Sequence, residues 1–351
     1  MNYFFPSLIG SKKELKLYSA NLPFSVNSGK NALRLLLRSF QLNEGSVVAI
    51  PVFVCDSLIK AVNAEKHIPL LLDLKKDATF WTDYDFDYLQ KMDVKVIVLV
   101  HLYGFIHPET EKIILFCKEK GIKIIHDAAQ SYGVDEKKIS EGDGIVYSFG
   151  PGKSTTAARG AIVKGLSLNF YNENVEKKIS IGHYFDAHFF LESRIFNKKK
   201  KYFQKYFQKI IFKMFPLSDK IYGMSHFQKK AANCAINLVE KRNIEREKRY
   251  QLMAKSLTQN SLLKIAYDDV KGLYFKVVIT VSSEVNKFKH FLFENSIPFF
   301  CLYDSLDKKM YKMTTLKYFK KEAPNFIEIS CEASIPMAEI ERIARLLTQF
   351  K

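Results

Sequence analysis

The order of the hydrophobic patterns predicts an α/β protein with a mostly parallel central sheet and a smaller C-terminal α+β domain. Runs rich in β-branched residues alternate with amphipathic helical patterns between residues 28 and 163, as in a parallel sheet with crossover helices. The 351 residues are also 47% hydrophobic, which is enough for a large core. At this length two domains are more usual than one, and we expect a large domain over residues 1–240 and a small domain over residues 241–351. A long helix starting at Met224 would join them.

The first helical pattern follows Ser28 and Gly29. Its apolar residues share one face of the predicted helix and are Ala32, Leu33, Leu36, Leu37 and Phe40. The free backbone N–H groups at such a helix start favour the binding of an anion. An ordinary N-cap made by Ser28 is the alternative.

The later elements follow from changes between strand and helix patterns. In the first part of the chain, strands are expected at Val47–Ile50, Pro69–Asp73, Val94–Val100, Ile122–Ile125, Gly144–Phe149 and Gly160–Val163. Helices are expected at Ser57–Glu65, within Asp77–Leu89 and at Glu109–Lys120. In the second part, strands at Leu273–Val281 and Ile327–Ser330 precede helices at Glu284–Asn295 and Ser334–Phe350. The Ser-Ile-Pro sequence that starts the last helix predicts a helix cap.

An acid and an amine follow two strands that we expect to be neighbours. Asp127 comes after the run Ile122–Ile125, and Lys153 comes after Gly144–Phe149 and a Gly-Pro-Gly turn. Because open α/β sheets bind ligands outside the carboxyl ends of their strands, we expect both side chains in one crevice. A turn-capping aspartate and a solvated lysine are the alternative for either residue alone. Arg159, just before the next strand, either contacts an anionic group or is solvated.

This pair of side chains suits pyridoxal 5'-phosphate (PLP). The cofactor needs a lysine amine to hold it as a Schiff base, and an acid to keep its pyridine nitrogen protonated. Burial of such a lysine disfavours the ammonium form and makes loss of its proton easier. The two residues therefore predict PLP chemistry in the crevice.

The sequence around the pair, IHDAAQSYG followed by YSFGPGK, resembles the paired motifs of the DegT/DnrJ/StrS family of sugar aminotransferases. The resemblance covers nearly the whole chain. It implies a fold-type-I aminotransferase-like structure in which Lys153 is the Schiff-base lysine and Asp127 the pyridinium partner. It places Gln130 beside the cofactor and Ser148 on its phosphate. Dehydratases of the same family carry histidine at the lysine position, so Lys153 favours transamination.

The same resemblance implies further cofactor contacts. The family holds the cofactor phosphate at a Ser-Gly helix start, and the residues at this start are Ser28, Gly29, Lys30 and Asn31. Cys55 stands where many members place an aromatic residue against the cofactor ring. Either Cys55 covers the ring, or an aromatic residue from elsewhere does so and Cys55 is a buried cysteine in a packed turn.

The implied function is that of a homodimeric, PLP-dependent aminotransferase in the biosynthesis of surface glycans. The expected amino donor is an amino acid, by family analogy glutamate. The expected acceptor is a keto-sugar linked to a nucleotide. Alternatives are another PLP-dependent reaction such as dehydration or epimerisation, an acceptor that is lipid-linked or not a sugar, and a non-catalytic basic binding protein.

The amino-acid composition limits the classes of binding partner and the cellular compartment that we expect. A net charge of +17 and a pI near 9.4 suit phosphorylated ligands, an anionic membrane or nucleic acid. No zinc-finger, RNA-recognition or leucine-zipper pattern supports nucleic acid, so none is expected. No apolar run reaches the roughly 18–20 residues of a membrane span. The five cysteines are widely spaced and form no Cys/His cluster, which indicates reduced thiols, a cytoplasmic protein and no metal.

A basic amphipathic pattern occupies residues 196–216. On a helix, one face would carry Phe203, Tyr206, Phe207, Ile210, Ile211 and Met214, and another would carry Lys201, Lys205, Lys209 and Lys213. One interpretation is that the aromatic face packs within the dimer. Other interpretations are a peripheral contact with the inner face of the cytoplasmic membrane, and a contact of the basic face with the diphosphate of a nucleotide-sugar.

Overall fold

The computed structural model contains two β-sheets with helices packed against them. It describes residues 17–76, 79–134, 136–150, 152–177, 181–184, 213–214, 219–267, 272–281, 284–301, 316, 318 and 325–351. A seven-stranded sheet lies in the first half of the chain and a four-stranded sheet in the second, which confirms the expected α/β class with a smaller C-terminal part.

The larger sheet is mostly parallel, as predicted. Its strands are β1 (Ser25–Val26), β2 (Val47–Pro51), β3 (Ile68–Leu72), β4 (Val94–Val100), β5 (Lys123–Asp127), β6 (Gly144–Ser148) and β7 (Ala161–Lys164), in the spatial order β1-β7-β6-β5-β4-β2-β3. The strands from β6 to β3 run parallel, whereas β7 pairs antiparallel with both β1 and β6. The parallel strands therefore present their carboxyl ends at one edge, where a ligand site is expected.

Helices between these strands, and one directly after β7, accompany the sheet. They are α1 (Gly29–Ser39), α2 (Ser57–Ala64), α3 (Phe86–Lys91), α4 (Thr110–Lys120), α5 (Glu136–Ile139) and α6 (Leu168–Asn174). Strand β4 is central, and its residues from Val96 to Leu99 are all fully buried. A strand buried on both faces reads as a continuous apolar run, which is why its bounds were predictable from the sequence.

Helix α1 forms where its apolar pattern predicts. The side-chain oxygen of Ser28 accepts a hydrogen bond from the backbone N–H of Asn31 at 3.2 Å and so caps the helix. The buried face includes Ala32, Leu33 and Leu36, which pack in the main core. Burial of this face, rather than helix propensity, supplies most of the stability of a helix of this length.

The second sheet is antiparallel, with the order β10-β11-β9-β8. Its strands are β8 (Leu263–Ile265), β9 (Lys276–Val281), β10 (Phe299–Phe300) and β11 (Phe326–Ser330). The accompanying helices are α7 (His226–Asn237), α8 (Val239–Leu257), α9 (Val285–Glu294) and α10 (Met337–Gln349). Helix α8 packs against α10 and β9. It therefore links the second sheet to helix α7 and the earlier part of the chain.

Three expectations about this second part were wrong in detail. The long helix from Met224 is two helices, because the chain turns at Leu238 with φ −95° and ψ −1°, although no glycine or proline marks the break. Strand β9 begins at Lys276 rather than Leu273, because the Leu273 N–H donates to the Gly104 carbonyl instead of to a strand. The last helix begins at Met337 rather than at Ser334. Its N-cap residue is Pro336, and no side-chain hydrogen bond caps the helix there.

The basic pattern at residues 196–216 lies outside the described residues, apart from residues 213 and 214. Its packing and any membrane contact therefore stay predictions. Within the described ranges, every helix is too short or too polar to cross a membrane.

Candidate active site

A cavity of ≈ 330 Å³ opens beside the carboxyl ends of strands β5 and β6. Most of the predicted site residues line it, and these are Ser28, Gly29, Lys30, Cys55, Asp127, Ser148 and Lys153. They come from the start of α1, the chain after β2, the ends of β5 and β6, and the loop after β6. The predicted meeting of Asp127 and Lys153 in one crevice is thus observed.

Asp127 is the last residue of β5, and its environment is unfavourable for a negative charge. Burial raises the pKa of its carboxyl group above 3.8, and the charge of Lys153 and a hydrogen bond from Ala129 oppose this rise. That bond runs from the Ala129 N–H to Oδ1 at 3.0 Å. Because a buried carboxylate is costly without a counter-charge, a cationic group bound in the cavity would stabilise its ionised form.

The loop that carries Lys153 is held by several hydrogen bonds. The hydroxyl of Thr156 donates to the Lys153 carbonyl at 2.6 Å and accepts from the Lys153 N–H at 3.1 Å. The Phe149 N–H donates to the Gly160 carbonyl, and the Ala157 N–H donates to the Phe149 carbonyl, both at 2.9 Å. These bonds fix the backbone from which the amine projects.

The start of α1 and the end of β6 touch at Gly29 and Ser148. A Cβ atom at Gly29 would lie 3.2 Å from both Cβ and Oγ of Ser148, which is tighter than ordinary contacts. Glycine therefore lets the helix start approach the Ser148 hydroxyl. The first N–H groups of a helix have no intrahelical acceptor, so this corner combines backbone donors with a hydroxyl and suits an anion.

Two of the predicted site residues do not line the cavity. Asn31 is buried, and its side-chain amide donates to Asn27 Oδ1 at 2.8 Å while its oxygen accepts from Arg34 at 3.1 Å. Gln130 uses its side-chain oxygen to accept a hydrogen bond from the Tyr103 N–H at 2.7 Å. These contacts with protein explain the burial of Asn31 and the position of Gln130 without a ligand, and their cofactor roles stay predictions.

Cys55 is exposed and lines the cavity, so the alternative of a cysteine buried in a packed turn is wrong. Phe53, the nearest aromatic residue in the sequence, is fully buried instead. Its ring packs against Phe326, with centroids 5.4 Å apart. Of these two residues, only Cys55 is therefore placed to contact a ring in the cavity.

Other lining residues are Leu33, Ser57, Leu58, Ala129, Val146, Gly150, Arg159 and Gly160. Among them only Arg159 carries a charge. Arg159 is half-buried and lines the cavity, so it is not simply a solvated side chain, and its contact with an anionic group stays a prediction. Ser57 was missed, although it stands at the start of α2 and directly after the Cys55 segment.

A model of the DegT/DnrJ/EryC1/StrS aminotransferase family matches residues 16–343 of the chain. A UDP-N-acetyl-3-dehydro-alpha-D-glucosamine 3-aminotransferase of Acidithiobacillus ferrooxidans is 29% identical over 37% of this chain and 36% of its own length. A dTDP-3-amino-3,4,6-trideoxy-alpha-D-glucose transaminase of Streptomyces venezuelae is 28% identical over 46% of this chain and 44% of its own length. These alignments thus span less than half of either relative.

Solved structures with the same fold cover far more of the chain. The structure of S. venezuelae DesV in complex with a ketimine intermediate has a TM-score of 0.69 at 17% identity, over 96% of this chain and 88% of that one. The structure of NtdA from Bacillus subtilis with bound cofactor PMP has a TM-score of 0.68 at 17% identity, over 97% of this chain and 77% of that one. At such low identity the similarity establishes the fold alone, and it confirms the predicted fold-type-I architecture.

Proposed function

The chain belongs to the DegT/DnrJ/EryC1/StrS aminotransferase family, and we propose that it is a PLP-dependent transaminase that aminates a keto-sugar. The observation that carries the proposal is the presence of Asp127 and Lys153 in one cavity at the carboxyl ends of β5 and β6. The family match adds the reaction class, and relatives that are named as transaminases of UDP- and dTDP-linked sugars support it.

The residues of the cavity fit PLP. Burial raises the pKa of the Asp127 carboxyl group. A cationic ring nitrogen bound beside this group would stabilise its ionised form. The contact between Gly29 and Ser148 creates a corner of N–H and hydroxyl donors that is suited to a phosphate. When bound, PLP supplies the electron sink that makes removal of a proton from an amino acid Cα feasible.

Each residue then has a role in the proposed site. Lys153 would hold the cofactor through its amine and, once the substrate amine has replaced it and freed it, would move a proton between the substrate Cα and the cofactor C4′. Asp127 keeps the ring nitrogen protonated. The starting residues of α1 and Ser148 orient the phosphate, and Cys55 covers one face of the ring.

The relatives support the proposed acceptor, whereas the proposed donor and the use of the product rest on the family resemblance alone. The acceptor is a keto-sugar linked to a nucleotide, because both relatives described above are named for nucleotide-linked sugars. The donor is glutamate, and the product serves surface glycan assembly. We also propose a homodimer, a cytoplasmic location and a domain boundary at residue 240, close to the start of α8.

Trapping of the cofactor tests the central assignment. The purified protein, incubated with PLP and reduced with borohydride, should carry the cofactor covalently on Lys153, as located by peptide mass spectrometry. Lys153→Ala should carry no covalent cofactor. Lys118→Gln changes an exposed lysine near the end of α4 and should be labelled like the wild type. Labelling of Lys153→Ala at the wild-type level would overturn the assignment.

Two further measurements separate transamination from its alternatives. Addition of glutamate to the PLP-loaded protein should convert the cofactor absorbance to that of pyridoxamine phosphate, and no conversion would favour dehydration or epimerisation. Asp127→Asn should slow this half-reaction about 30- to 5,000-fold, the rate equivalent of losing one partner of a buried charge pair. A wild-type protein that takes up no PLP would instead favour a non-catalytic binding protein.

A further inference from the structure

The backbone next to Lys153 is held by a side chain from helix α8. Nη2 of Arg246 donates a hydrogen bond to the backbone carbonyl of Ser154 at 2.6 Å. The Arg246 side chain is fully buried. A hydrogen bond from a charged donor is shorter than one between neutral groups and about twice as strong. The residue directly after Lys153 is therefore fixed to a helix that lies 92 residues further along the chain.

Side chains within the loop do not tie Ser154 to the rest of the protein. Ser154 and Thr155 are fully buried, and among the described residues neither hydroxyl group has a hydrogen-bond partner. The Thr156 hydroxyl group bonds to the backbone of Lys153 and so closes the turn on itself. Within the described part of the chain, Arg246 is thus the only side chain from outside the loop that forms a hydrogen bond with Lys153 or the three residues after it.

The guanidinium group that makes this bond is itself fixed on several sides. Its Nε and Nη2 atoms donate to the carboxylate of Glu332, at 3.2 Å and 2.9 Å, and its Nη1 atom donates to Asn243 Oδ1 at 2.9 Å. Its Cζ atom lies 5.9 Å from the centre of the Phe275 ring. An arginine can make these contacts together because its donors form a rigid planar fork, which a lysine ammonium group lacks. Arg246 therefore holds a donor at a defined point beside the Lys153 loop.

The backbone around Ser154 determines where the Lys153 side chain starts. Lys153 lines the cavity together with Asp127. The flexible four-carbon stem of a lysine does not fix its own amine, so a fixed backbone narrows the positions that the amine can reach. In the proposed function this amine must meet the cofactor aldehyde carbon, and a displacement of about 1 Å can slow a reaction roughly 100-fold.

We propose that Arg246 is a positioning residue for Lys153, and that it holds the Ser154 carbonyl so that the Lys153 amine can reach the cofactor aldehyde. The inference rests on the proposed function and deepens it, because it adds a residue outside the cavity to those that prepare the site for the cofactor. Arg246 does not line the cavity. It acts on the rate at which Lys153 forms the Schiff base, and not on the affinity of the cavity for the cofactor.

Two ligands separate the position of the amine from the shape of the cavity. PLP reacts with Lys153 when the amine adds to the aldehyde carbon and one water molecule leaves. Pyridoxamine phosphate carries an amine in place of the aldehyde and cannot undergo this reaction, so its Kd reports on the cavity alone. Stopped-flow absorbance at saturating PLP gives the first-order rate constant for Schiff-base formation in the full-length protein after removal of cofactor. Calorimetry on the same protein gives the Kd of pyridoxamine phosphate.

The double variant Arg246→Met/Glu332→Met removes the bond to Ser154 without leaving a buried charge unpaired. Replacement of both partners of a buried ion pair by apolar residues is often tolerated. The rate constant should fall roughly 10- to 100-fold, because the Lys153 backbone loses a charge-assisted bond and the amine is displaced. The Kd of pyridoxamine phosphate should stay unchanged. Should the double variant fold poorly, Arg246→Lys keeps the charge beside Glu332 without the planar fork, and should give a smaller fall in the same rate constant.

Arg249→Met is the matched control. Arg249 is a second buried arginine on α8, and it donates to the backbone carbonyls of Ala333 and Ile335. Its acidic partner, Glu245, is 36% exposed, so the substitution leaves no buried charge behind. Among the described residues Arg249 makes no hydrogen bond to the Lys153 loop. The control should therefore lose packing of α8 but keep the wild-type rate constant.

The opposing outcomes are distinct. A wild-type rate constant in the Arg246 variants would overturn the positioning role while leaving the proposed function intact. A fall of equal size in Arg249→Met would also overturn it, because weakened helix packing would then account for the slower reaction. A rise in the pyridoxamine phosphate Kd that matches the fall in rate would overturn it too, since the cavity itself would have changed. A wild-type protein that forms no Schiff base with PLP would overturn both proposals.

Discussion

The guanidinium group of Arg246 and the carboxylate of Glu332 form a buried ion pair, in which Nη2 lies 2.9 Å from Oε2. The two side chains are 0% and 6% exposed. The same Nη2 donates to the backbone carbonyl of Ser154 at 2.6 Å, one residue after Lys153. The pair therefore connects α8 and the chain after β11 to the loop that carries the proposed catalytic amine.

Substitution of Arg246 by Met should destabilise the protein strongly. The change leaves the Glu332 carboxylate buried without its partner, and we expect the free energy of unfolding to fall by about 3–5 kcal/mol. Urea denaturation followed by circular dichroism measures this loss. Lys118→Gln is the matched control, because its ion pair with Glu141 has both side chains 57% exposed and should contribute below about 1 kcal/mol. Similar losses of unfolding free energy in the two variants would contradict the expectation that the buried ion pair contributes more to stability than the exposed one.

Asp127 should make the cofactor-free protein less stable as the pH rises. Because burial raises its pKa in the folded state, the carboxyl group stays protonated in the folded protein above pH 3.8, where the unfolded chain has begun to lose this proton. The unfolded state then binds fewer protons, so the contribution of Asp127 to stability falls from pH 3.8 upward through the raised folded pKa. Asp127→Asn should therefore gain stability relative to the wild type with increasing pH.

This difference is measured by urea denaturation of both proteins without cofactor from acid to neutral pH. The comparison is needed because histidines act in the opposite direction: burial lowers the pKa of His107 and of His126 to about 4. Both remain unchanged in the variant, so their effect cancels. A stability difference that is flat with pH would contradict the assigned burial of the Asp127 charge.

Gly29→Ala should weaken cofactor binding more than it affects folding. The new methyl group would lie 3.2 Å from Ser148, so the corner between α1 and β6 must widen by a few tenths of an ångström. Alanine favours the helix by up to about 1 kcal/mol, which offsets part of the crowding, and we expect little net change in the melting temperature. The PLP Kd should rise, and absorbance titration measures it. An unchanged Kd would indicate that the phosphate lies elsewhere.

Cys55 should be the most reactive thiol, and PLP should protect it. It is exposed and lines the cavity, whereas Cys301 is half-buried and Cys117, Cys234 and Cys331 are buried. Burial also raises the pKa of Cys117 to about 12, which suppresses its thiolate. Alkylation with iodoacetamide, mapped by mass spectrometry with and without PLP, tests both statements. Equal labelling of Cys55 in the two samples would place the cofactor away from it.

Strands β2 to β7, strands β9 and β11, and helices α1, α2 and α4 could be predicted because their signals are local, whereas the short strands β1, β8 and β10 and the short helices α5 and α6 were not predicted. Strand β4 reads as an unbroken apolar run, and α1 repeats its apolar residues with helical spacing after a serine cap. Where a boundary depended on a distant contact, the prediction failed. Strand β9 does not include Leu273, because the Leu273 N–H donates to the carbonyl of Gly104, more than 150 residues earlier in the chain. The break at Leu238 has no local breaker residue at all.

The sequence by itself determined the fold class, the family resemblance and the placement of Asp127 and Lys153 at neighbouring strand ends. These follow from hydrophobic periodicity and a short motif, which nearby residues encode. Only the tertiary structure decided that Cys55 lines the cavity while Phe53 packs in the core, that Asn31 bonds within the protein, and that Arg159 lines the same cavity as Lys30. The direction and burial of a side chain depend on packing between segments far apart in the chain, and local patterns do not contain that information.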